Sequence, residues 1–282
     1  MATQIDVPMI QPSDRISFVF DIEGLALQAS VLSVRASSGL SRQFSAQLEI
    51  EHADPDLVPG DIVGRRATLA VLGETGDVRF AGMIAKFRQL TREPTRASRY
   101  EAIVVPCTTW LAMRRDHRIF KHKKVTDIVR EICAPLSTRL APIRASDEDE
   151  LVEREYRVQY GESDLAVIER FCAEDGVTHL YDLRSGCELV LIGDLASYVP
   201  EPTVTLPYAA AGTMSPSTPH VTRVEVEASE RTGAVELRDH WIERPDYSAS
   251  IGVTHGENED LLAYFFDAGA APDAAALRRE SG

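Results

Sequence analysis

The side chains whose types and spacing could best do chemistry are Glu162, Ser163 and Asp164, three in a row after Gln159-Tyr160-Gly161. Two carboxylates flanking a hydroxyl are the raw material of general acid–base catalysis. Their spacing argues against that use. Two residues apart on a helix, Glu162 and Asp164 point about 200° away from each other. Ser163 lacks a Gly-x-Ser-x-Gly elbow, and no histidine is placed by sequence to take its proton. A helix start accounts for all three residues. Ser163 is the N-cap, and both carboxylates sit at the positive end of the helix dipole. The helix continues through 165–174 with Leu165, Ile168, Phe171 and Cys172 as its apolar stripe, and Gly176 is placed for a left-handed C-terminal cap.

The remaining candidates fare no better. His117 and His122 are five apart, with no Cys or His partner at ligand spacing for zinc. Lys121-His122-Lys123-Lys124 could bind phosphate, but it reads as a solvated face in front of a helix. Asp147-Glu148-Asp149-Glu150 lacks the alternation of a calcium loop and reads as a solvated linker. Neither a phosphate-binding P-loop nor a Gly-x-Gly-x-x-Gly turn is present. The sequence therefore assigns no catalytic residue, no cofactor-binding residue and no metal ligand, and it implies no cofactor.

Composition narrows the classes further. The chain has 282 residues, 44% of them hydrophobic, with a formal net charge of −14. That is long enough for two domains and apolar enough to bury a core. The acidic balance speaks against a nucleic-acid partner, which needs a basic footprint. The four cysteines at 107, 133, 172 and 187 form no CxxC pair and read as reduced core thiols. Residues 1–6 show neither the basic nor the apolar region of a secretory signal, and no run approaches the 18 apolar residues of a membrane span, so no membrane anchor is expected.

The elements that would hold these residues fall into three groups. In 1–106, period-two alternation predicts strands at 15–20, 31–35, 43–51, 66–72, 78–90 and 99–105, with a bulge or bend at Gly82. Short strands with regular turn signals predict a small antiparallel barrel. In 107–202 the pattern changes to a short helix at 108–113, an amphipathic helix from Val125 to Cys133, a linker over 137–150, a strand at 154–159, the capped helix, and a hairpin formed by 177–183 and 187–192. In 203–282 a second β unit is expected, with strands at 203–206, 221–227 and 234–242, a strand end at 264–267, and the first turns of a helix at 272–280. No C-cap closes that helix in good position, which predicts a second barrel truncated before completion and a fragment of a longer polypeptide. Residues 1–14 read as a loose arm.

Arg154-Glu155 followed by Gln159-Tyr160-Gly161-Glu162-Ser163-Asp164, then Glu174-Asp175-Gly176 before a strand, resembles the signature of the VgrG family, the spike proteins of bacterial type VI secretion. Phe80-Ala81-Gly82-Met83-Ile84, Tyr100 to Pro106 with Trp110-Leu111, Arg118-Ile119-Phe120 before Val125-x-Asp127-Ile128, and Val235-x-Leu237-x-Asp239 with Pro245 are similar to further family segments in the same order. Val167 departs from the aromatic usual at its position, and residues 193–219 are unusually rich in proline. The resemblance implies a mainly β fold with a helix-containing insert between two small antiparallel barrels, like the baseplate hub of contractile phage tails. It implies a structural, non-enzymatic role as a homotrimer joining a needle to the hexameric tube protein Hcp, with baseplate components and effectors as further candidate partners. It also implies cytoplasmic assembly followed by ejection through the contractile apparatus without a signal peptide. The alternatives are a late control D-like hub of a contractile phage tail and, from a different class, a cell-wall-cleaving enzyme.

Overall fold

The computed structural model describes residues 16–25, 29–73, 77–93, 96–136, 143–183, 187–195, 198, 208, 221, 223–226, 233–240, 248–254 and 262–266. The arm at 1–14, the strand expected at 203–206 and the helix expected at 272–280 lie outside the described residues.

Alternation builds the first sheet. Six strands, β1 (Ile16–Ile22), β2 (Ser30–Ser37), β3 (Ser45–His52), β4 (Arg66–Gly73), β5 (Val78–Thr91) and β6 (Ser98–Val105), pair in the order β1-β4-β5-β6-β3-β2. Every pairing is antiparallel. In β3 the inward residues Ala46, Leu48 and Ile50 are fully buried, while Ser45, Gln47 and Glu49 reach the outer face. They close a core with Phe44, Leu69, Ile84, Tyr100 and Val104; each large side chain contributes about 1.5–3 kcal/mol by leaving water. The edge strands β1 and β2 approach within 8 Å, Cα to Cα, without pairing in register, so the sheet curls into a half-barrel. Between β3 and β4 lies a one-turn helix, α1 (Pro59–Ile62), seated by the buried Ile62.

Gly82 is not itself the bulge. It pairs in register with Ala67, and the register of β5 against β6 slips further along, between Ile84 and Lys86. Its role is close approach, since a Cβ there would lie 1.9 Å from the carbonyl oxygen of Val105.

After a 3-10 turn at Cys107–Met113, the chain forms β7 (Arg115–Lys123), α2 (Val125–Cys133), β8 (Ile143–Ser146), β9 (Arg154–Ser163), α3 (Asp164–Glu174), β10 (Thr178–Asp182) and β11 (Glu188–Ile192). β7 and β9 make an antiparallel ribbon, and β10-β11-β8 make a second small sheet with β8 parallel to β11. Both helices lay their apolar faces inward: Val125, Ile128, Val129 and Ile132 from α2, and Val167, Ile168, Phe171 and Cys172 from α3. Leu165, expected in the α3 stripe, is only partly buried, and Val167 takes the deeper place.

The insert holds two strands that the sequence reading did not assign. The solvated run at 121–124 does precede a helix, but 121–123 is also the end of a strand that sequence reading left unassigned, β7, in which Phe120 and Arg118 point inward while their neighbours face solvent. Residues 143–146, expected to be linker, form β8 because β11 offers a free edge that accepts them.

The second β unit contains β12 (Ala234–His240), β13 (Ser248–Thr254) and β14 (Leu262–Phe266), in the order β13-β12-β14, with β14 parallel to β12. The strand expected at 221–227 is not formed over 223–226. Val221 makes only an isolated bridge to Tyr208, and Val224 and Val226 are exposed rather than packed. Among the described residues no strand pairs with 223–226, and alternation alone did not make a strand there.

One apolar core runs beneath both the half-barrel and the insert. The seam is stitched by backbone hydrogen bonds from Ser41 N–H to the His179 carbonyl (2.6 Å) and from Arg79 N–H to the Leu183 carbonyl (2.7 Å). The Cys187 thiol donates to the Arg79 carbonyl and receives the Ala81 N–H, each at 2.9 Å. Among the described residues no helix is long and apolar enough to cross a membrane.

Candidate functional site

The residues singled out by sequence converge on one corner, where β9 turns into α3. Gly161 adopts a left-handed backbone (φ +68°), and the register against β7 slips between Arg115 and His117. This is a bulge with glycine at the strained position. It swings the chain so that Ser163 can cap α3, its Oγ accepting the Ala166 N–H at 3.2 Å. At the far end Gly176 is also left-handed (φ +65°), with Val177 N–H to the Cys172 carbonyl at 2.7 Å and Gly176 N–H to the Ala173 carbonyl at 3.1 Å. That pair of bonds is the Schellman closure expected of a glycine at this position.

Asp164 is fully buried, which the cap reading did not anticipate. Its carboxylate accepts from the Arg118 guanidinium and from Gln159 Nε2 (2.9 Å), and it pairs with Arg114 Nε at 3.4 Å. Gln159 is fully buried and fully used: its carbonyl takes Arg118 Nε at 2.9 Å, and its amide also donates to the Glu162 carbonyl at 3.0 Å. At the other end of α3 the buried Asp175 accepts from Arg154 (3.1 Å) and from Arg157. A carboxylate at a helix C-terminus faces the negative end of the dipole; the two guanidiniums offset this.

Glu162 does not work with Asp164. It takes a two-pronged contact from Arg170, which also reaches Glu174 (2.7 Å) and the Val158 carbonyl (3.0 Å). The Arg170 hydrogen bonds hold the Glu162 carboxyl below the usual range, so it is poised as a fixed anion rather than as a proton carrier. Phe171 is held beneath, with the guanidinium carbons of Arg170 and Arg157 at 4.5 and 4.8 Å from its ring centre and Phe120 edge-on at 6.1 Å.

The other candidates are dispersed. His117 lies on the outer face of the ribbon, edge-on to Tyr160 at 5.0 Å, and His122 faces Glu153 at 3.6 Å. Lys123 meets Glu131, and Lys124 donates to the Glu148 carbonyl at 2.7 Å. Glu148 is not solvated linker. Arg130 holds it at 2.8 Å and lowers its pKa, which fastens the 147–150 turn to α2. All four cysteines are buried, and burial pushes the thiols of Cys133, Cys172 and Cys187 up to about 12. Among the described residues no group of three His, Cys, Asp or Glu is placed to hold a metal ion. The buried clamp from Arg114 and Arg118 to Asp164 spans about 50 residues of sequence, so only the strand alternation of Arg118 and Phe120 could have hinted at it.

A cavity of about 210 Å³ opens at the seam of half-barrel and insert, lined among others by Asp21, Arg66, Gly82, Thr108, Tyr181 and Cys187. Its polar floor is already tied together. Gln43 Oε1 accepts from Thr108 (2.8 Å) and Tyr181 (3.0 Å), and burial raises the Tyr181 hydroxyl above its ordinary value. The corner and the seam are thus arrangements that fix geometry, with most of their charged and polar groups paired with one another and His179 Nδ1 left without a hydrogen-bond partner.

The family model of the phage tail baseplate hub (GPD) matches residues 37–280. The chain belongs to this family. The type VI secretion system spike protein VgrG4b of Pseudomonas aeruginosa is 29% identical over 239 residues, covering 84% of this chain and 29% of the relative. The chain spans about three tenths of the length of the first curated relatives that it matches. The fold is similar to that of the prophage MuSo2 43 kDa tail protein of Shewanella oneidensis, with a TM-score of 0.59 at 13% identity over 94% of this chain and 77% of that one. It is also similar to the E. coli c3393 protein, described as a component of the type VI secretion system with structural similarity to the T4 tail proteins gp27 and gp5. That TM-score is 0.56 at 21% identity, over 69% of this chain and 53% of that one. The mainly β, hub-like architecture of this family is the one described above.

Proposed function

We propose that this chain is the hub segment of a type VI secretion puncturing spike, a structural module without catalytic activity of its own. In this reading three copies form a ring that joins the needle to the hexameric tube protein Hcp. Baseplate proteins and effectors are further partners. The module assembles in the cytoplasm and leaves with the spike when the sheath contracts. The observation that carries the reading is the family match across 37–280, together with the spike-protein relatives. The ionic corner, whose buried carboxylates are each paired with arginines, supports a mechanical rather than a chemical role. A module that transmits force from a sheath needs fixed geometry and broad contacts, and α3 clamped at both ends supplies the first.

Electron microscopy of the natural-length protein tests this. Three-fold particles that bind purified Hcp rings are expected; monomers that ignore Hcp refute the proposal. The second reading, a hub of a contractile phage tail, is favoured by the likeness to the prophage tail protein over 94% of the chain. Binding to a phage tube protein in preference to Hcp would establish that reading instead.

A further inference from the structure

We propose that the outer face of the β7–β9 ribbon is a contact between copies of this chain, and that it receives the acidic, apolar segment 53–63 of the neighbouring copy. This rests on the homotrimer reading above and adds the surfaces to it.

The ribbon has two unlike faces. Inward, Arg118, Phe120, Arg157 and Gln159 pack toward α3 and its ionic corner. Outward, three cross-strand pairs stand in register: His117 with Tyr160, Ile119 with Val158, and Lys121 with Tyr156. Tyr160 is 79% exposed, Ile119 57% and Tyr156 55%. Singly exposed apolar residues are ordinary, but a contiguous ladder of aromatic and β-branched residues on a flat, stiff face is the composition of an interface core. Its charge is the reverse of the chain's. Residues 114–124 hold six Lys or Arg against the single acid Asp116, in a chain whose net charge is −14. Arg114 and Arg118 turn inward to Asp164, Lys123 meets Glu131 and Lys124 donates to the Glu148 carbonyl, which leaves Arg115, His117 and Lys121 around the exposed ladder.

Segment 53–63 is the matching surface. It carries Asp54 and Asp61, besides Asp56 paired with Arg92 at 2.9 Å, holds no Lys or Arg of its own, and exposes Val58 (57%) and Val63 (44%). It is also held still. Tyr100 Oη donates to the Asp54 carbonyl at 2.8 Å, Gln89 Nε2 donates to the Pro55 carbonyl at 2.7 Å, and the buried Ile62 pins α1. Two surfaces that need no ordering lose little entropy on meeting. In a three-fold ring every contact is head-to-tail and joins two different patches of the chain, and the basic ladder and the acidic ridge are such a pair.

The test is a photo-crosslinking phenylalanine analogue at Tyr160, and separately at Ile119, in the natural-length protein. The expected result is a product of twice the chain mass whose crosslinked peptide contains residues 53–63. Lys121→Glu, with circular dichroism unchanged, is expected to cut that yield about tenfold. If the protein remains a trimer by light scattering but the probe gives no product between chains, or maps to another segment or another protein, the inference falls and the hub reading stands. A wild-type monomer would overturn both.

Discussion

Lowering the pH from 7 to 5 will weaken this fold through His179, and an apolar residue at that position will remove the effect. His179 sits in β10 at the seam and is 4% exposed; its Nδ1 has no hydrogen-bond partner. Burial pushes its pKa down from 6.5 to about 4. The unfolded chain therefore binds a proton across a window in which the native state does not. Stability from the neutral imidazole is complete above about pH 6.5 and is lost as pH falls toward 4. Linkage over these two values predicts a loss of about 2 kcal/mol between pH 7 and pH 5, approaching about 3.4 kcal/mol below pH 4. The carboxyls of Glu101, Glu148 and Glu162, held below 4.5, lose their contribution only further down. His179→Leu removes the titration without stranding a partner of Nδ1. In urea melts at both pH values, the wild-type midpoint should fall by roughly 0.7 M more than that of the variant, at a slope of ~3 kcal/mol/M. Because both proteins share every carboxylate, the difference isolates the imidazole. Equal losses in the two proteins would refute the argument that a neutral His179 is held in the seam.

Three further substitutions probe the corner and the half-barrel. Asp164→Ala leaves Arg118 and Gln159 without their buried acceptor and should cost about 3–5 kcal/mol in chemical denaturation, whereas Glu169→Ala on the exposed side of α3 should stay within about 0.5 kcal/mol. Gly82→Ala drives a methyl into the Val105 carbonyl and should destabilise by about 3 kcal/mol, read as a lowered melting temperature.

Local punctuation was legible. Ser163 and Gly176 announced both ends of α3, and the alternation of Ala46, Leu48 and Ile50 announced β3. Pairing was not. The ribbon strand β7 hides because one of its inward residues is Arg118, whose neutralising partner lies 46 residues away. β8 is four residues long and exists only because β11 presents an edge. Conversely, 223–226 has the alternation of a strand and remains unpaired. Asp164 was correctly assigned to the helix start, but its burial depends on Arg114, Arg118 and Gln159 arriving from elsewhere in the chain.

The shared seam also sets what can be exchanged between relatives. Phe44 stands edge-on to Tyr181 at 5.4 Å, Gln43 accepts the Tyr181 hydroxyl, and the Cys187 thiol bridges the backbone of Arg79 and Ala81. A chimera joined near residue 106 would keep one side of each of these contacts and receive a stranger's residues on the other. Recombination can shuffle this hub without breaking those contacts only by moving half-barrel and insert together, so the two should share one ancestry among relatives.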